Sequence, residues 1–297
     1  MNTVRERGYA KVNLYLDVLQ KNGEYHDIDS VVCSINLFDE VTVTKRKDDK
    51  IVLRSFSSLY GLPKEEKFNN AYRAAELFKQ TFNTDGVNIT VRKNIPVGGG
   101  LGGSGADVAA TLKAMKKLFC LDCDLNPLAD SLGSDARFLL RGGFARLRGR
   151  GIDVTPLYIN PKLHFLIATP KKEIAAKDCY YEFDKLPSPP LKQAEKLIEN
   201  LAKGIIKKED FYNALYAPAC RLNAEVERVY GLIAGLSPSA VFMTGSGSSI
   251  VSVFETRELC EWAKDKLKRE NLSLFVTESL TEKETESPYA LKNPFIL

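Results

Sequence analysis

No apolar run in the chain approaches the length that crosses a bilayer. The opening MNTVRERGYAKVNLYL has no apolar core followed by a small-residue cleavage site. The expectation is a cytoplasmic protein with no membrane partner. Charge of one sign is also scarce: the net charge is +4 over 297 residues and is spread along the chain, too little to argue for a nucleic-acid partner. Paired cysteines are missing. Of six scattered cysteines only Cys120 and Cys123 form a C-x-x-C, no second pair follows, and the two histidines, His26 and His164, lie in other segments. Free thiols in a reducing compartment are expected rather than a disulfide framework or a zinc site. Neither an internal repeat nor a low-complexity tract is visible. The length suits two domains, each able to bury an ordinary core.

What is present reads as mixed strand and helix. AKVNLYLDVL alternates and is rich in Val and Leu, as a strand is. CSINLFDEVTVTKRKDDKIVLRS reads as strand, polar turn at Asp48 and Asp49, strand. Asn69 or Asn70 is placed to cap a helix whose Ala71, Ala74, Ala75, Phe78 and Phe82 share one face. GVNITVRKNIP is a further strand, closed by Pro96, which has no N–H for a ladder. Past GRGIDVTPLYINPK the pattern restarts with the strand-like LHFLIATP, which puts a domain boundary near residue 155, dividing 1–155 from 156–297. A proline-rich loop LPSPPL and a helix from Lys192 follow. Paired strands in SAVFMTGSGSSIVSVFE, a helix from Arg257 to Arg269 and the strand LSLFVTESL complete the pattern.

The densest signal is PVGGGLGGSGADVAATLKAMKKLF, residues 96–119, with six glycines in its first ten positions and then Val108, Leu112, Met115 and Phe119 at helical spacing. Glycine admits positive φ and leaves backbone N–H groups uncovered. A run of them at a helix N-terminus presents convergent donors and the positive end of the dipole, which suits a phosphate. A flexible turn is the plainer alternative. No Gly-Lys-Ser/Thr follows, so this is no Walker A loop, and a first-strand position with a later ribose-binding acid is absent too.

The stretch PVGGGLGGSGA resembles the second signature of the GHMP kinases, a family of small-molecule kinases: Pro, three variable residues, Gly-Leu-Gly, then Ser-Ser-Ala-Ala. Ser104 matches the second serine, while Gly103 and Gly105 depart from the pattern. AKVNLYL resembles the first signature and MTGSGSSIVSVF the C-terminal glycine-rich one, so three ordered signatures span residues 10 to 254. The resemblance implies an α+β, two-domain GHMP kinase fold, with a ribosomal-protein-like N-terminal domain and a ferredoxin-like C-terminal domain. It also implies ATP with Mg²⁺, and an alcohol acceptor meeting ATP in the cleft between the domains. Three further stretches are similar to the branch whose acceptor is a cytidine diphosphate-linked methylerythritol, phosphorylated on its 2-hydroxyl in non-mevalonate isoprenoid biosynthesis. These are AKVNLYLDVLQKNGEYHDIDSVVCSINLFDEVTV, GGGLGG and SLGSDARFLL.

Moving a phosphoryl group to an alcohol requires an aligned hydroxyl, an acceptor for its proton and neutralisation of phosphate charge. Asp135, among small residues in GSDAR, matches the family's catalytic aspartate; alone it would be a cap or a solvated turn. Lys11 stands on the first strand beside Val12 and Leu14, where a cation needs a partner or must snorkel. Near Asp135 it would keep the carboxylate ionised and stabilise a developing alkoxide. Pro96, Gly98, Gly99, Gly100, Leu101, Gly102, Gly103, Ser104, Gly105 and Ala106 form the expected nucleotide loop, with the Ser104 hydroxyl placed for Mg²⁺ or a phosphate oxygen. Asn69 either reaches the nucleotide cleft or caps its helix. For the acceptor, the resemblance implies a base held between aromatic rings: Tyr25 and His26 match the family's Tyr-His, and Tyr180 falls where a second ring is expected. Asn13 supports the diphosphate or the Lys11 geometry. Gly245, Ser246 and Gly247, in TGSGSS, present backbone donors to the acceptor or form a plain hairpin turn.

Arg137 stands where the family has proline after the aspartate, and Ala175 and Ala176 stand where it usually has Ser-Thr. Alternatives are a sibling kinase acting on mevalonate, homoserine or a sugar, and a non-catalytic nucleotide-binding homologue. Tyr25 and His26 argue against the siblings, whose acceptors carry no base. Lys11, Asp135 and the intact glycines argue against the non-catalytic homologue. A monomer or weak homodimer is expected.

Overall fold

Two long β-rich stretches organise the first half. In the computed structural model, which describes residues 2–57, 69–187 and 193–286, they form β1 (Thr3–Asn22) and β2 (Tyr25–Lys45). These two strands pair antiparallel through a turn at Gly23, whose φ is +65°. Apolar side chains on both faces bury most of each strand. The register slips between Tyr9 and Ala10, Asn13 and Tyr15, and Val18 and Lys21, bulges that bend and twist the ribbon.

After β3 (Ile51–Ser57) and α1 (Asn70–Phe82), the chain returns as β4 (Val87–Lys93), which lies between β2 and β3 in the sheet. α2 (Gly103–Phe119) packs across β1 and β2 with Val108, Leu112 and Met115 buried, as the helical spacing predicts. Asn69 caps α1, its side chain accepting the Ala71 N–H at 2.9 Å. Two short helices, α3 (Asn126–Leu132) and α4 (Ala136–Arg141), lead to β5 (Phe144–Gly149) and β6 (Asp153–Leu157).

β6 pairs with β5, so the chain leaves the first half only between Leu157 and the start of β7 (His164–Pro170). The remainder comprises α5 (Ala176–Phe183), α6 (Ala194–Ala202), the short β8 (Tyr212–Asn213), α7 (Tyr216–Leu222), α8 (Glu225–Ala234), β9 (Ala240–Met243), β10 (Ile250–Phe254), α9 (Arg257–Leu267), β11 (Leu272–Leu280) and α10 (Glu282–Glu286). Of the expected loop LPSPPL, residues 188–191 lie outside the described residues, as does Lys192.

β1 runs along one edge of β2, while β5, β11 and β4 take its other edge in turn. β11 pairs with β2 only through Ser279 and Leu280 and with β7 along the rest of its length, which joins the order β11-β7-β10-β9 to the first sheet. The fold is thus α+β in two parts, and β1, α2 and the β9–β10 turn converge where the parts meet.

Candidate active site

The glycine stretch folds as a loop laid against a second glycine loop, residues 244–249 between β9 and β10. Gly100 has φ +74°, and a Cβ on it would lie 2.2 Å from the carbonyl oxygen of Thr244; a Cβ on Gly245 would lie 2.8 Å from that of Gly100. Only bare backbone fits at this contact. The Ser249 N–H donates to the Gly99 carbonyl at 3.4 Å, and the Ser249 hydroxyl bonds Thr169 of β7 at 2.8 Å. Apolar members of the nucleotide loop anchor it: Pro96, Leu101 and Ala106 are buried. The Leu101 carbonyl accepts the Lys11 N–H at 3.0 Å.

α2 starts directly from this loop, with Gly102 at its cap and no side-chain bond to its first amides. The first-turn N–H groups therefore have no intrahelical acceptor, and the dipole adds positive potential at the same mouth. Ser104 is exposed there. Gly105 is buried, and a Cβ on it would come within 3.2 Å of the Asp135 Cβ. The missing side chain thus lets α4 and Asp135 sit close to the first turn of α2.

Lys11 and Asp135 are brought together as the sequence led us to expect. Lys11 is buried on β1, and its Nζ lies 3.7 Å from Asp135 Oδ2. Asp135 occupies the cap position of α4 but makes no capping bond, and 37% of its side chain is exposed, which leaves the carboxylate open to a ligand. Asn13 supports Lys11 rather than facing outward. Its Oδ1 accepts from Lys11 Nζ at 2.6 Å and from the Gly245 N–H at 3.1 Å, while its Nδ2 donates to Ser30 at 2.9 Å.

The tip of the β1–β2 ribbon brings His26 and Tyr180 together but sets Tyr25 against Arg150. His26 stacks on Tyr180 with centroids 5.5 Å apart and donates from Nε2 to Asp184 Oδ1 at 2.8 Å. Lys21 bonds the other oxygen of Asp184 at 3.0 Å, which ties the ribbon tip to the end of α5. Burial, and then the charge of Asp135, push the Tyr180 phenol well above its usual range. Tyr25 is exposed, with the Arg150 guanidinium 3.9 Å above its ring. His26 and Tyr180 thus fill the space between each other's faces.

Three features escaped the sequence. Thr244 and Ser30, both fully buried, complete the bonds around Asn13. Asp184 holds His26. Beneath the start of α2, Lys93 bridges Asp39 and Asp107, donating to Asp107 Oδ2 at 2.6 Å, with Asp39 also accepting the Asn94 and Ile95 N–H groups. Asp107 is thereby turned inward. Asn69 is occupied by its cap and by a bond to Ser55 at 3.3 Å.

Residues 69–143 match the GHMP kinases N terminal domain. A protein of Caldicellulosiruptor saccharolyticus named 4-diphosphocytidyl-2-C-methyl-D-erythritol kinase is 32% identical over 269 residues, covering 88% of this chain and 92% of its own. The chain is a member of that kinase family. A second member, from Bacillus cereus, is 32% identical over 250 residues, 81% of this chain and 84% of its own. The crystal structure of a 4-(cytidine 5'-diphospho)-2C-methyl-D-erythritol kinase superposes with a TM-score of 0.80 at 29% identity, covering 93% of this chain and 100% of that one. Homoserine kinase from Cytophaga hutchinsonii shares the fold, with a TM-score of 0.72 at 20% identity over 95% of each chain.

Within the diphosphocytidyl-methylerythritol kinase family, this chain's departures have visible local consequences. Arg137 swings to Asp130 of α3, which it bonds at 2.7 Å, so the second position after Asp135 fastens α4 to α3. Ala175 holds the cap position of α5 and offers it no side-chain bond.

Proposed function

We propose that the chain transfers the γ-phosphoryl group of ATP to the 2-hydroxyl of 4-diphosphocytidyl-2-C-methyl-D-erythritol, the step its family serves in non-mevalonate isoprenoid biosynthesis. The observation that carries this reading is the pairing of Lys11 with an open Asp135 beside the uncapped start of α2. The first-turn amides bind the phosphate tail of ATP, and the glycines let it approach the backbone. Asp135 accepts the proton of the acceptor hydroxyl as the oxygen attacks the γ-phosphorus. Lys11 stabilises negative charge on the attacking oxygen during the step. Tyr25 and the His26–Tyr180 stack receive the cytosine ring, with Arg150 fixing the plane of Tyr25.

Ser104, exposed at the loop mouth, suits the Mg²⁺ that accompanies ATP. No cluster of three metal-ligating side chains exists among the described residues, which fits an ion held mainly by phosphate oxygens and water. Bound there, Mg²⁺ supplies neutralisation of phosphate charge.

An ADP-release assay with a panel of acceptors tests the reading. Turnover with the cytidine diphosphate-linked acceptor, and none with mevalonate or homoserine, is expected. Turnover with one of the latter alone would replace the acceptor, and none with any acceptor would remove the catalytic assignment.

A further inference from the structure

The outer edge of β1, opposite β2, is occupied residue by residue. The Lys11 N–H donates to Leu101 of the nucleotide loop at 3.0 Å, the Asn13 N–H donates to Thr244 Oγ1 at 2.9 Å, and Tyr15 pairs with Tyr212 of β8. The first two bonds place the strand that carries Lys11 directly against the two glycine loops. Of the three, only the middle one runs through a side chain.

Thr244 is fully buried where β9 gives way to its turn. Its hydroxyl has one proton and two acceptors in reach, the Gly100 carbonyl at 3.2 Å and Asn13 Oδ1 at 3.3 Å. Asn13 Oδ1 already accepts from Lys11 Nζ and the Gly245 N–H. The Gly100 carbonyl is therefore the better acceptor, since a third donor would crowd an oxygen with two lone pairs already engaged. In this arrangement one hydroxyl takes the Asn13 N–H and gives to Gly100. It thus joins the loop that faces the phosphates to the residue that holds Lys11.

We propose that Thr244 is a positioning residue that sets the nucleotide loop and Lys11 in one fixed relation, so that nucleotide binding also orders the first strand. The assignment rests on the kinase reading for its effect on rate, but the coupling itself is a property of the hydrogen bonds. A buried threonine that merely satisfies its own hydroxyl would affect stability alone. A positioning threonine affects the chemical step, because misplacing a reacting group by a fraction of an ångström is enough to slow it.

The test compares Thr244→Val, which keeps the shape and loses both bonds, with Thr244→Ser, which keeps the bonds. Thr244→Val is expected to lower kcat on the order of 10- to 100-fold with little change in the KM for ATP, and Thr244→Ser to retain the wild-type kcat. In an Asn13→Ala background the valine change is expected to add little, because the path it interrupts is already broken. Amide exchange supplies a readout that needs no acceptor. A non-hydrolysable ATP analogue is expected to raise protection at residues 11–13 in the wild type and in Thr244→Ser, but not in Thr244→Val. If the valine variant melts below the assay temperature, Thr244→Ala removes the same hydroxyl with more room. Unchanged kcat in the valine variant, equal loss in the serine variant, or analogue-induced protection that survives without the hydroxyl would each overturn the proposal. An inactive wild type would instead overturn the kinase reading and leave the exchange contrast to decide this one.

Discussion

Lys11 Nζ lies 2.6 Å from Asn13 Oδ1 and 3.7 Å from Asp135 Oδ2, so the buried cation rests on a neutral amide and reaches the carboxylate only at the edge of ion-pair distance. That spacing leaves the Asp135 side chain in reach of Lys11 yet not locked against it. Asp135→Asn keeps the shape and removes the basic oxygen. It is expected to lower kcat by about 10²- to 10⁴-fold while ATP-analogue affinity and the melting curve stay close to wild type. Single-turnover rates beside a calorimetric titration check both halves. A variant that turns over normally would remove Asp135 from the base role.

The buried Asp39–Lys93–Asp107 cluster sets two carboxyl groups against one ammonium. Burial pushes the Asp107 carboxyl up to about 7 from 3.8; Lys93 opposes the shift, and Asp39 adds to it. The folded state therefore holds a proton that the unfolded chain releases at lower pH. Stability from this group is full below the unfolded value, falls as pH rises between about 4 and about 7, and is flat above. Asp107→Asn cannot titrate there. Urea unfolding at a series of pH values is expected to show a steeper decline through that window in the wild type than in Asp107→Asn. Parallel curves would show that Asp107 is ionised throughout.

The helix α5 begins at Ala175, whose extended backbone, φ −71° and ψ 133°, is already that of a capping residue, but whose side chain accepts nothing. Ala175→Ser supplies the missing oxygen for a first-turn N–H. A gain of about 0.5–2 kcal/mol is expected, read as a higher denaturant midpoint at unchanged slope. Ala175→Val, which adds no oxygen, should bring no such gain. An equal response to serine and valine would mean that the cap oxygen is not used.

Long strands and long helices were legible in the sequence because their periodicity repeats over enough residues to be read. β1, β4, α1 with its Asn69 cap, α2 and the β9–β10 pair all appear where the pattern put them. The short helices α3, α4 and α7 were not read, since six or seven residues give too few turns for a period to emerge, and α5 and α8, of eight and ten residues, were missed as well. In the site, the glycines stood out by composition and Lys11 as a charge on a strand, whereas Asp135 was reached only through its match to the family's motif. Thr244, Ser30 and Asp184 did not stand out. Each acts through one or two polar atoms whose partners lie elsewhere in the sequence, with Asn13 and Thr244 separated by 231 positions. Only the fold reveals such a pairing. The ribbon tip offers a similar lesson. Sequence pointed to Tyr25, His26 and Tyr180 as ring-bearing residues, but the stacking of His26 on Tyr180 depends on how α5 docks.

Gly100 and Gly204 form a matched pair for measuring what the contact between the two glycine loops requires. Their φ angles are nearly equal, +74° and +70°, so alanine meets similar backbone strain at either site. That strain is about 1–2 kcal/mol. Their surroundings differ, since a Cβ at Gly204 meets nothing within 4 Å, whereas one at Gly100 would lie 2.2 Å from the Thr244 carbonyl oxygen and 3.1 Å from that of Gly247. Backbone on both sides leaves no flexible side chain to yield. Gly204→Ala is therefore expected to lower stability by roughly the backbone strain alone and to leave ATP-analogue binding intact. Gly100→Ala is expected to lose more stability and to weaken analogue binding, because the loops must separate to admit the methyl group and the Thr244 bond to Gly100 is stretched. Denaturant unfolding and a nucleotide titration on both variants measure the difference. Equal losses would mean that the two loops part readily and that their close approach does not set the site.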